Sequence, residues 1–190
     1  MNELYSFAFR GLLTDQTLDN THRLRKRPYG ELDPEILKRL PLDELDEDFV
    51  SRAKRMAVIY VAIAAFENTV REFVSKRLLE SLGAEWWTKG VSEKIRTKAE
   101  SRREEESKIK WHAQRGDQPI NYTEFGDLSS IVGQNWEHFE DYLQSQEWMR
   151  QIITTLERSR NVIMHSGELG LQDIERIGTS IRDWVRQVGS

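Results

Sequence analysis

The stretch from about Asp46 to Leu82 most constrains the fold, because it reads as one long helix ending at Gly83. Tyr60, Ile63, Ala64, Val70, Val74 and Leu78 recur along it at steps of three and four residues. That spacing places them on one stripe of a 3.6-residue helix, and such a stripe has to be covered by other elements. Gly83 suits the left-handed position that closes a helix. Its densest apolar run, Val58 to Phe66, is too short to span a bilayer.

The rest of the chain supplies helices to cover that stripe. A charged helix is expected from about Ser92 to Arg115, broken by Gly116-Asp117-Gln118-Pro119. A shorter helical pair follows around 123–143, with Phe125, Leu128, Ile131, Trp136, Phe139 and Tyr142 as core. Another helix runs from about Ser145 to His165 and buries Met149, Ile152, Leu156 and Ile163. The last, near 171–188, buries Ile174, Ile177, Ile181, Trp184 and Val188. No strand-like alternation is sustained, so the expected class is an all-α helical bundle. Residues 1–45 differ in character and read as an N-terminal arm ahead of a helical domain over 46–190. The arm holds Pro28, Pro34 and Pro41 and a basic cluster that includes Arg23, Arg25, Lys26 and Arg27. Within it, Asp33-Pro34-Glu35 reads as an N-cap and first turn of a short helix ending near Leu40.

Composition limits the function classes. The net charge is −4, whereas proteins that grip nucleic acid over their whole surface are usually basic. Any nucleic-acid contact is therefore expected to be local, with cluster 22–27 as an electrostatic candidate. The chain has no cysteine, which excludes disulfides and thiolate metal sites. No basic-then-apolar leader opens it, and a cytoplasmic, non-membrane protein is expected. It carries no Gly-rich phosphate loop, no HExxH and no GxSxG, so neither cofactor nor metal is anticipated.

Chemistry concentrates in Arg160-Asn161-Val162-Ile163-Met164-His165, followed by Ser166-Gly167. Arginine holds phosphate-like anions in a planar fork, and histidine moves protons near neutral pH. Together they are the parts needed to break a phosphodiester without a metal. Arg160 and Glu67 both interrupt apolar faces, and buried charges need partners. The two are therefore expected to meet in a polar pocket. Simpler readings stand beside this one: an i, i+4 pair of Glu67 with Arg71, and an Arg160 that merely snorkels. Geometry adds a constraint, because residues five apart on a straight helix diverge by about 140°. Asn161 and Arg158 share the face of His165 and Arg160 does not, so Arg158 is a competitor for the phosphate and a candidate RNA contact.

Several segments together resemble the HEPN superfamily, in its Swt-like branch. They are Tyr60…Phe66-Glu67-Asn68…Arg71-Glu72-Phe73, Gly83…Trp86-Trp87, Tyr122…Phe125…Asp127-Leu128, Asn135-Trp136…Phe139 and the Arg160–His165 string. The resemblance implies a dimeric helical bundle acting as a metal-independent endoribonuclease. In such proteins Arg and His of two protomers meet in a cleft at the interface, and many serve as toxins, in toxin–antitoxin pairs or in antiviral defence. Carried over, Arg160 would bind the scissile phosphate, His165 would act as general base or acid, and Asn161 would orient either, with Glu67 and Arg71 in support. A homodimer, an RNA substrate and an antitoxin or defence-system partner are the implied associates. A catalytically silent module that binds RNA or nucleotide, or a purely structural assembly domain, are the rival readings.

Overall fold

The computed structural model describes residues 34–189, and among them every regular element is helical. The chain divides between Glu47 and Asp48 into two units. In the first, α1 (Pro34–Leu37) opens on its proline and is followed by a 3₁₀ turn at Leu42–Glu44. The expected helix through Leu40 is thus one short turn, and its expected cap Asp33 lies outside the described residues.

The second unit is built on α2 (Glu47–Leu82), which buries Ile63, Phe66, Val70, Val74 and Leu78. It stops at Gly83, whose φ of 72° is the left-handed conformation that glycine adopts without a Cβ clash. Two short helical elements follow, α3 (Trp86–Gly90) and α4 (Glu93–Ser107). The expected continuation of α4 to Arg115 does not form. Its buried residues are Ile95 and Ala99 alone, so a further two turns would have had nothing to pack against, and packing supplies most helical stability. The chain instead turns back, with Glu106 accepting the Arg115 backbone N–H at 3.2 Å and pairing with its guanidinium.

A 3₁₀ turn at Pro119–Tyr122 leads into α5 (Phe125–Gln134), then α6 (Gln146–Met164) and α7 (Leu171–Val188). Ser145 caps α6 by accepting the Trp148 N–H at 3.1 Å. The Glu157 carboxylate accepts the Gly126 N–H at 3.0 Å and so ties α6 to the first turn of α5. Trp184 of α7 stacks on Trp148 of α6 and meets Phe66 of α2 edge-on at 5.5 Å, which locks α2, α6 and α7 around one aromatic centre.

One expected core residue falls outside. Tyr60 is exposed, as are Val58 and Val61, and Met56 and Ile59 carry the buried stripe there instead. The N-terminal half of α2 therefore presents apolar surface to solvent.

Candidate active site

Glu67 lies on the core-facing side of α2 and is buried. Its two carboxylate oxygens take different partners. Oε1 accepts from Nη2 of Arg71 at 2.8 Å, and Oε2 accepts from Nη1 of Arg160 at 2.8 Å. Both readings of Glu67 made from the sequence are therefore realised in one cluster, a carboxylate between two guanidiniums with one net positive charge. The side chains of Glu67 and Arg71 are 11% and 12% exposed, that of Arg160 25%, so the cluster opens to solvent on the Arg160 side.

Arg71 has little left to offer a ligand. Its Nε donates to the Ile120 carbonyl at 3.1 Å and its Nη1 to Asn68 at 2.9 Å. It clamps the Pro119–Tyr122 turn onto α2. Arg102 of α4 does the same from the other side, through the Tyr122 carbonyl at 2.8 Å and Glu124 at 2.6 Å. Arg160 differs: Nη1 is held by Glu67, while Nη2 and Nε carry no protein partner among the described residues. Its guanidinium is oriented at one corner and open along the edge that forks onto an anion.

His165 is the C-cap of α6, with φ −98° and ψ 24° and its N–H donating to the Asn161 carbonyl at 3.1 Å. The helix thus runs regularly to His165 and does not unwind early to swing the imidazole toward Arg160. His165 and Asn161 are exposed, and Arg158 stands exposed on the same side. Among the described residues, then, the structure brings Glu67, Arg71 and Arg160 together, and sets Asn161, His165 and Arg158 on a separate face of α6. Arg23, Arg25, Lys26 and Arg27 lie outside the described residues.

The helix ends in a Schellman arrangement. Gly167 N–H donates to the Val162 carbonyl at 2.8 Å and Ser166 N–H to that of Ile163 at 3.0 Å. The left-handed position belongs to Ser166, at φ 60°, not to glycine. Ser166→Gly should stabilise the fold by up to about 1 kcal/mol, measured by urea denaturation. Gly167→Ala should do the opposite, because a Cβ there would stand 2.9 Å from the Val162 carbonyl oxygen. Beyond the turn, Glu168 pairs with Arg52 and Arg55 of α2 at 3.5 and 3.1 Å, and Leu169 N–H meets the Met56 sulfur at 3.3 Å. The sequence held no signal for this latch, since its partners are more than a hundred residues apart. A groove of about 820 Å³ lies beside it, lined by Phe49, Ala53, Ala57, Tyr60 and Met164 among others.

Among the described residues, the other histidines, His112 and His138, have their contacts elsewhere. His138 is near Glu137 at 3.7 Å, and His112 donates from Nδ1 to the neighbouring Ala113 carbonyl at 2.8 Å. Among the described residues no group of three or more His, Asp or Glu is placed to hold a metal ion, and no helix is long and apolar enough to cross a membrane.

The Swt1-like HEPN family model matches residues 62–189, a stretch that contains Glu67, Arg71, Arg160, Asn161 and His165. No curated protein and no solved structure matches the chain.

Proposed function

We propose, from the premise that the chain belongs to the Swt1-like HEPN family, that it is a metal-independent endoribonuclease whose site is completed by two copies of the chain. The family is commonly associated with ribonucleases. The observation that carries the reading is Arg160 itself: a guanidinium fixed by Glu67 through one nitrogen, with its remaining donors open at the rim of the bundle. Such a group binds a phosphate and stabilises the negative charge that builds on its oxygens during displacement. His165, exposed at the helix end, supplies proton transfer. The ribose 2′-oxygen attacks phosphorus as its proton passes to an imidazole, and the 5′-oxygen leaves with a proton. The products are a 2′,3′-cyclic phosphate and a 5′-hydroxyl, and DNA, lacking the nucleophile, is not cut.

The divergence of Arg160 from His165 argues for two chains. Within one copy they occupy different faces of α6, whereas a two-fold arrangement sets Arg160 of one copy opposite His165 of the other. The apolar surface beside the latch supports this reading. Ala53, Ala57 and Tyr60 follow the same helical line that reaches Glu67, and they stand next to Met164, one residue before His165. A second copy covers that surface and completes the site in one step. Light scattering should accordingly give about twice 22.4 kDa. A monomer at all concentrations would contradict the composite site.

The direct test is RNA cleavage in EDTA, with the product ends identified. Cleavage that persists in chelator and leaves cyclic phosphate agrees with the proposal; cleavage only with added metal, or no cleavage, overturns it. Because Arg160 and His165 do not meet within one copy, a silent module that only binds RNA is the second reading. Tight RNA binding without cleavage would select it.

A further inference from the structure

Although the chain is acidic overall, one groove between α6 and α7 is cationic. It has a volume of about 650 Å³ and is lined by Arg150, Arg158 and Arg176, with Asp173 as its one acid and Thr154, Thr155 and Ser159 among its hydroxyls. Arg176 is partly satisfied by Asp173 at 3.0 Å, and Arg150 by the neutral Gln146 at 2.9 Å. Arg158 has no hydrogen-bond or ion-pair partner among the described residues. Three cations against one carboxylate, with the Thr154 and Thr155 hydroxyls between them, is the chemistry of a phosphate track.

Its placement relates it to the candidate active site. Arg150, Thr154, Arg158, Asn161 and His165 fall within about 80° of one another around α6, counting 100° per residue. They therefore form one exposed ridge, with His165 at its end. Arg158 is about 10 Å from His165 along the axis and Arg150 about 22 Å, at 1.5 Å of rise per residue. A stacked single strand advances about 3.4 Å per phosphate, so the two arginines lie about three and seven phosphates from the imidazole.

We infer that the α6–α7 groove is an extended RNA subsite, in which Arg158, Arg150 and Arg176 hold the backbone of the strand flanking the scissile phosphate. The inference rests on the nuclease reading for its register and on the groove alone for its ligand. Its contacts go to phosphates, so it confers length dependence and not base preference. It also locates the local basic surface that an acidic RNA-binding chain needs.

The test uses the full chain with Arg150→Gln, Arg158→Gln and Arg176→Gln combined, and the corresponding triple lysine variant. Binding of a single-stranded dodecanucleotide RNA is measured by fluorescence anisotropy in a His165→Ala background, across a salt series. The glutamine variant should bind about tenfold more weakly, and its salt slope should fall by about two, at ~0.7 per lost phosphate contact. The lysine variant should restore most of both. In the cleaving protein the glutamine variant should raise KM for the dodecanucleotide at unchanged kcat, and leave turnover of a dinucleotide unaltered. An unchanged salt slope and KM would overturn the inference, as would an equal loss on the dinucleotide. If the unsubstituted protein cleaves nothing, yet the binding loss and its rescue are seen, the nuclease reading falls and the groove stands.

Discussion

Replacing either Arg160 or His165 with alanine should lower RNA cleavage by about 10²–10⁴-fold, the range typical of a lost proton donor or oxyanion-stabilising group. The two variants should differ in how the loss is distributed. In the proposed mechanism Arg160 binds a phosphate that is charged before reaction and more so during it, so Arg160→Ala should raise KM as well as lower kcat. In the same mechanism His165 acts on protons that move only in the transition state, so His165→Ala should lower kcat with little change in KM. Stability should separate them too. His165 is exposed, and its substitution should leave thermal unfolding nearly unchanged. Equal activity of the wild type and both variants would assign the cleavage to another site. Asn161→Ala, on the His165 face of α6, should have a smaller effect in the same direction as His165→Ala.

Glu67→Ala should have the largest effect on stability among the polar residues, about 2–4 kcal/mol, or about 5–15 °C in melting temperature for a chain of this size. The carboxylate holds two guanidiniums, each at 2.8 Å. Its removal leaves Arg71 and Arg160 facing each other across a half-buried gap with no anion between them, a more costly state than the loss of one exposed ion pair. Glu67→Gln keeps the shape and one acceptor and should cost less. A double-mutant cycle separates repulsion from lost packing: Arg160→Ala added to Glu67→Ala should recover part of the loss. If the double variant is destabilised by the simple sum of the two single ones, the pair is not coupled and Glu67 does not position Arg160.

Much of this architecture is legible in the residues themselves. Gly83 marks a helix end by the chemistry of its cap, and does so in the structure. Glu67 and Arg160, charges on apolar faces, predict each other because a buried charge needs a partner, although they are 93 positions apart. What was not legible has physical causes. The charged run after Ser107 has helical composition but no apolar face, so composition overstated the length of α4. Tyr60 fits the apolar spacing, yet it is exposed among the described residues, and spacing cannot tell a core stripe from an intermolecular one. The latch between Glu168 and Arg52 and Arg55, and the convergence of Arg150 and Arg176 on one groove, depend on which surface arginines meet in space. Exposed arginines are plentiful here, and sequence spacing does not rank them.

The claim that two copies share one site is tested most directly by mixing the two inactive proteins, Arg160→Ala and His165→Ala, under conditions that allow subunits to exchange. If Arg of one copy works with His of the other, each mixed dimer holds one intact site and one doubly deficient site, and the equimolar mixture should recover up to about a quarter of the wild-type rate. Mixed dimers seen by native mass spectrometry with no recovery of cleavage would contradict the account.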